Sequence, residues 1–232
     1  MDPHLLRKLN RERRARRAVL HLTELEGGRD RVIREGDPVA GALGEAVAAA
    51  FRSGKSGVAE VEGRSFFLNI HLPPPKIVII GAVHISQTLA GMAESTGFAV
   101  TIVDPRSAFA TAERFSGVDL VAEWPEDVLK LRPLDSYTAL VAVTHDPKID
   151  DHPLAEALRA GCFYVGALGS RKTHARRVER LTALGIDAAD IARISAPIGL
   201  DIGAANPPEI AVAILADIIR SLRRRPLRED AP

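Results

Sequence analysis

The chain of 232 residues holds a single cysteine, Cys162, so no internal disulfide can form. No apolar run approaches the ~18 residues that a bilayer-spanning helix needs. The basic amino terminus is followed by neither an apolar stretch nor a small-residue cleavage site, so no secretory signal is expected. Formal net charge is only +1, and no overall field points to nucleic acid. Gly-x-Ser-x-Gly elbow, Walker loop and paired-cysteine motifs are all missing. Cys162 itself follows Gly161 at the start of an apolar segment, where a thiol is ordinarily an inert small hydrophobe. The expectation is a cytoplasmic protein without a membrane span, a nucleic-acid partner or a covalent catalytic apparatus.

What is present is the balance of a soluble globular chain, 46% hydrophobic and 26% charged. Seven of the eleven residues from Arg7 to Arg17 are basic, and residues 1–17 read as an Arg-rich leader, most simply a solvated helix. Residues 18–72 read as a small α+β domain. Val19–Leu22, Asp30–Arg34, Gly57–Glu62 and Ser65–His71 are its strand candidates, and Ala40–Arg52 has the apolar spacing of a helix. Pro73-Pro74-Pro75 makes a stiff break. From 76 to 225 the rhythm changes to buried strands alternating with helices, the pattern of a Rossmann-like, doubly wound parallel sheet. Strands are expected at Lys76–Ile80, Phe98–Val103, Leu120–Val121, Ala139–Val143, Cys162–Val165 and Ile191–Ile194. The final helix opens with Asn206 as cap, Pro207 at the first position and Glu209 three residues on. Its almost uniformly apolar body suits burial or a dimer interface. Residues 226–232 are a tail.

Ligands of such sheets bind at the carboxyl ends of the strands, where the strand order reverses. With the order 3-2-1-4-5-6 the loops that meet there are Gly81–Ser86 and Thr144–Asp151, each carrying a histidine, His84 and His145. The first loop half-matches the dinucleotide fingerprint. Gly81 supplies the first glycine, but Val83 stands where the second would let a pyrophosphate approach. Asp104, 23 residues after Gly81, is placed to hold a ribose hydroxyl and Arg106 to hold a phosphate; as turn residues they would instead cap Asp104-Pro105. The second loop, Thr144-His145-Asp146 through Asp150-Asp151-His152, could ligate a metal, but its spacing matches no closed zinc site. Alternatively Asp150 or Asp151 caps the next helix, with Pro153 in its first turn. Gly166–Lys172 is a glycine-rich turn into a helix, with Gly169 before Ser170 as cap and Arg171-Lys172 opposing the macrodipole, a conflict an anion would relieve. The apolar loop Pro197–Ala204 is expected to fold over the sheet end and present Asp201.

Together, Ile79–Ile85, Val103–Arg106, Glu113–Phe115, Thr144–Asp146, Tyr164–Arg171 and Ala196–Ala204, with Pro208–Ala211 behind them, resemble the XdhC/CoxI family over roughly Pro75 to Leu222. The resemblance implies a maturation factor that binds molybdenum cofactor, protects it during sulfuration and delivers it to a molybdenum hydroxylase apoenzyme. Xanthine dehydrogenase and carbon monoxide dehydrogenase are such clients. It also implies a homodimer and exchange with a cysteine desulfurase. The family's turn is commonly Gly-Ala-Gly-His, whereas Val83 replaces the middle glycine here. Nothing in residues 1–75 matches the Gly-Gly-Cys motif of longer members. On this reading Ser170 and Arg171 face the cofactor phosphate, while His84, His145 and Asp146 line its pterin or metal end. The competing reading is an NAD(P)-dependent oxidoreductase with His84 or His145 as acid/base and Asp104 on the ribose.

Overall fold

The prolines at 73–75 separate two bodies of different construction. The structure, a computed structural model, describes residues 2–225; the tail expected at 226–232 lies outside the described residues. The chain divides between Pro73 and Pro74, and the second unit runs to Arg224.

In the first unit, helix α1 (Pro3–Arg14) precedes strands β1 (Val19–Glu24) and β2 (Asp30–Arg34), helix α2 (Gly41–Ser53), and strands β3 (Gly57–Val61) and β4 (Arg64–His71). The strands form one antiparallel sheet in the order β2-β1-β4-β3. The basic opening segment is a helix whose basic residues stay mostly exposed, as expected, while a few residues anchor its inner face. Asp2 caps α1 by accepting from the His4 N–H, and Leu9 packs in one buried cluster with Val19 and Val32. Glu12, also buried, is held by Arg17.

The second unit comprises β5 (Lys76–Ile80), α3 (His84–Ser95), β6 (Ala99–Val103), β7 (Asp119–Val121), α4 (Pro125–Leu131), β8 (Thr138–Ala142), α5 (Pro147–Arg159), β9 (Tyr164–Ala167), α6 (Arg171–Ala183), the short α7 (Ala188–Ile191), β10 (Ile194–Ser195) and α8 (Pro207–Arg223). Its sheet is parallel throughout, in the order β10-β9-β8-β5-β6-β7. The sequence order therefore reverses between β5 and β8, as expected for a doubly wound sheet.

The continuous apolar runs have a direct physical reason: alternate residues of one strand feed opposite layers. Ile77 and Ile79 join a core with Leu89 of α3 and with Ile214 and Ile218 of α8. Val78 and Ile80 join the other core, with Leu154 and Leu158 of α5 and Leu181 of α6. Helix α8 thus buries one face within the domain, under the cap supplied by Asn206.

Two local expectations are corrected. Helix α5 starts four residues before Asp151, because Asp146 caps it and Pro147 takes its first position; Asp150 and Asp151 lie inside it, and so does Pro153. Residues 188–191 form helix α7, and the edge strand begins only at Ile194.

Candidate functional site

At the reversal point the two expected loops meet. Gly81 lies at φ 117°, and a Cβ there would come within 2.9 Å of the Thr144 side chain, so glycine is required both by conformation and by the close approach of the second loop.

The turn after β5 is bound internally at nearly every polar group. The Gly81 N–H donates to the Val103 carbonyl and the Ser86 hydroxyl to the Gly81 carbonyl. The Ala82 N–H donates to Asp104 at 2.7 Å, and Arg114 donates to the Ala82 carbonyl at 3.2 Å. Asp104, with 0% exposure, also accepts from the backbone and guanidinium of Arg106. Burial alone would raise the Asp104 pKa; the Arg106 and backbone donors outweigh it and hold the carboxyl below its ordinary value. Both carboxylate oxygens are therefore committed within the protein, and Arg106 stacks over Phe109 besides. A ribose hydroxyl could reach Asp104 only by displacing these bonds. Val83, half-buried, packs against the core cluster as the residue preceding α3. One group of donors is left over: α3 begins at the carboxyl end of β5 with no side-chain cap and no acidic residue in its first turn, and exposed His84 is its first residue.

On the other side of the point, Thr144 is buried and bridges its loop. It donates to Asp150 at 2.7 Å and accepts from the Asp146 N–H. His145, exposed and at φ 64°, and Pro147 line a cavity of about 400 Å³ together with Asp150 and Asp151 of α5 and residues of α6. His152 instead faces Glu126. Among the described residues no three His, Cys, Asp or Glu side chains converge as metal ligands.

The α6 wall of this cavity is where sequence reasoning fell short. Arg177, 2% exposed, donates from Nη2 to the Leu168 carbonyl at 2.9 Å, while its Nε and Nη1 have no hydrogen-bond partner among the described residues. Asp150, also 2% exposed, spends one oxygen on Thr144 and leaves the other unpartnered among the described residues. Burial pushes the Asp150 carboxyl up to about 6, against the pull of Thr144 and Arg177, and Asp151 adds to the rise. The same burial lowers the pKa of Arg177. Next to them Arg180 pairs with Asp151 through two nitrogens. A periodic signal existed: Arg177 stands four residues before Leu181, the fully buried apolar residue of α6, and so shares its inward face.

Gly169, at φ 134°, leads into α6, and Ser170 caps the helix by accepting from the Thr173 N–H. Ser170 and Arg171 are both exposed. The loop after β10 packs as well as presents: Ile198 is buried against Gly166, and Gly199 lies on the α8 backbone at Ala213 and Ile214, while Asp201 is exposed. Among the described residues no hydrogen bond or ion pair joins His84, Ser170, Arg171 and Asp201 to one another.

Known proteins share this architecture. The crystal structure of a xanthine dehydrogenase from Bacillus halodurans is similar in fold, with a TM-score of 0.62 and 24% identity over 100% of this chain and 68% of that one. A Bacillus subtilis protein named as a probable xanthine dehydrogenase component is 33% identical over 153 residues, 66% of this chain and 44% of its own length. The Escherichia coli molybdenum cofactor insertion chaperone PaoD is 29% identical over 146 residues, 63% of this chain and 40% of its own. The chain thus spans less than half the length of these curated relatives. The family model described as XdhC Rossmann domain matches residues 77–218, from the first strand of the parallel sheet into its last helix, and the chain belongs to that family.

Proposed function

We propose that the protein is a maturation factor for a molybdenum hydroxylase such as xanthine dehydrogenase or carbon monoxide dehydrogenase. In this reading it binds molybdenum cofactor at the crevice between β5 and β8, protects it and passes it to the apoenzyme. The observation that carries the reading is the match to the XdhC Rossmann domain across residues 77–218; a relative named as a molybdenum cofactor insertion chaperone supports it.

The cofactor is cargo, a flat pterin with a terminal phosphate, and the residues present suit its anionic end. The uncapped start of α3 leaves backbone N–H groups at the carboxyl edge of the sheet, where a helix terminus favours an anion. His84, His145 and Asp146 are the groups assigned to the pterin or metal end, and Ser170 and Arg171 to the phosphate. Asp104 and Arg106 take the different part of fixing the turn that carries His84. A carrier of this kind needs no nucleophile. Cys162 has 0% exposure and its thiol is pushed up to about 12 by burial, so any sulfuration of the cargo would draw sulfur from an external donor such as a cysteine desulfurase. A homodimer in the cytoplasm is the assembly and place proposed, which light scattering and fractionation would check.

The test is anaerobic purification from cells making the cofactor, followed by pterin fluorescence after oxidation and molybdenum by mass spectrometry. Stoichiometric pterin and metal are expected. Protein that carries neither sinks the reading.

A further inference from the structure

The cavity between α5 and α6 has features that cofactor delivery does not use. Its wall brings Lys172, Arg176, Arg177 and Arg180 against only two carboxylates, Asp150 and Asp151. One of those carboxylates is neutralised locally, since Asp151 is paired with Arg180. Lys172 and Arg176 are exposed and make no ion pair among the described residues. The decisive observation is Arg177. A guanidinium carries five N–H donors in a rigid plane, and leaving such a group buried without acceptors is costly. Here Nη2 is anchored on the Leu168 carbonyl, which fixes the plane, while the Nε and Nη1 donors stay unpartnered at 2% exposure.

We propose that this cavity binds a phosphate-type oxyanion, as inorganic phosphate or a phosphate monoester, on the free donors of Arg177, with Lys172 and Arg176 at its mouth. The volume agrees: about 400 Å³ is far more than the ~30 Å³ share of one water and falls within the ~300–1,000 Å³ of small-ligand pockets. Charge agrees as well, because a planar guanidinium backed by further cations matches a tetrahedral oxyanion. The unpartnered oxygen of Asp150 does not oppose this. Burial raises its pKa to about 6, so it takes up a proton more readily than a free carboxyl does, and in that form it donates a hydrogen bond to a phosphate oxygen. The cavity adjoins the crevice proposed for the cargo, since His145 lines it, but the cationic contacts to phosphate come from α6 and are tested without the cargo.

Calorimetric titration of the cofactor-free protein tests it, with inorganic phosphate in one arm, glycerol phosphate in the other, and sodium chloride at matched ionic strength as reference. One phosphate per chain is expected to bind. Arg177→Gln should weaken it by about tenfold or more, and Lys172→Gln with Arg176→Gln by roughly threefold, given the strength of charge-assisted contacts. Tighter binding of glycerol phosphate identifies an ester as the ligand, and the reverse identifies free phosphate. The proposal is overturned if neither compound binds more tightly than chloride, or if Arg177→Gln binds phosphate as the wild type does. Should Arg177→Gln fail to fold, the double variant at exposed positions decides, and unchanged affinity there overturns the proposal. None of these outcomes touches cofactor delivery, because the cofactor is absent from the titration.

Discussion

The turn after β5 and the cavity between α5 and α6 sit on opposite sides of one sheet reversal, yet they handle polar groups in opposite ways. In the turn, apart from the uncapped first N–H groups of α3, donors and acceptors are matched within the protein: Asp104 accepts from Ala82 and Arg106, and Arg114 donates to the Ala82 carbonyl. In the cavity, the buried groups of Arg177 and Asp150 keep unpartnered atoms. A closed set of hydrogen bonds makes a rigid frame, whereas an open set is a demand for a ligand or a proton. A sequence-level fingerprint would assign the ligand contacts to the turn; the structure puts the unsatisfied chemistry next door.

Removing a partner from the closed set should cost most. Asp104→Ala leaves the Ala82 N–H without an acceptor and strips Arg106 of its buried counter-charge. Losing one member of a buried pair costs about 3–5 kcal/mol, and since the Arg106 side chain is 32% exposed the lower end is expected. Urea unfolding should show the loss as a lower midpoint with an unchanged slope. A cost below about 1 kcal/mol, the worth of an ordinary hydrogen bond, would break the contrast by showing that the turn is not held by Asp104.

The open set should respond with the other sign. With a folded pKa of about 6 and an ordinary value of 3.8 for Asp150, the folded protein binds this proton more tightly than the unfolded chain does. The stability from that proton is fully present below pH 3.8 and is lost as pH rises through 6. Asp150→Asn stays neutral at every pH and keeps an acceptor for the Thr144 hydroxyl. Between pH 4 and pH 8 the stability difference should therefore move in favour of the variant, by up to about 3 kcal/mol at 1.36 kcal/mol per unit. A flat difference across that range would show that Asp150 is not an uncompensated buried acid.

A third substitution tests whether the two regions touch as described. Gly81→Ala forces an L side chain to φ 117° and drives its methyl to 2.9 Å from Thr144. Strain of this kind costs about 1–3 kcal/mol. Because Thr144 also holds Asp150, thermal melts of Gly81→Ala, Asp150→Asn and the double variant should be non-additive. Simple additivity would mean that the turn and the cavity are independent.

Much of this fold is legible in the residues alone. Buried parallel strands show as unbroken apolar runs such as Ile77–Ile80, and the cap at Asn206 with Pro207 marks the start of α8, because these signals are local. The start of α5 is ambiguous in sequence because Asp146-Pro147 and Asp150–Pro153 offer two similar capping signals, and only packing chooses between them. Gly81, Thr144 and His145 are legible as walls of the reversal point. Arg177 is far less so: its spacing four residues before Leu181 is the one local hint of an inward face, and its neighbours Arg171, Lys172, Arg176 and Arg180 mask that hint by making α6 look like a solvated basic helix.

The smallest expected effect separates the cap of α6 from the cavity along its side. Ser170 already spends its oxygen on the Thr173 N–H and does not line the cavity. Ser170→Ala should therefore cost about 1 kcal/mol of stability, the usual worth of an N-cap, and leave phosphate affinity in the titration unchanged. Arg177→Gln should do the reverse, weakening phosphate while the helix stays capped. If Ser170→Ala instead weakens phosphate as strongly as Arg177→Gln, the anion lies at the helix start, and the cavity and the glycine-rich turn at Gly169 are one site. Their separation rests on Ser170 being satisfied and Arg177 not, so this pair of variants measures that difference directly.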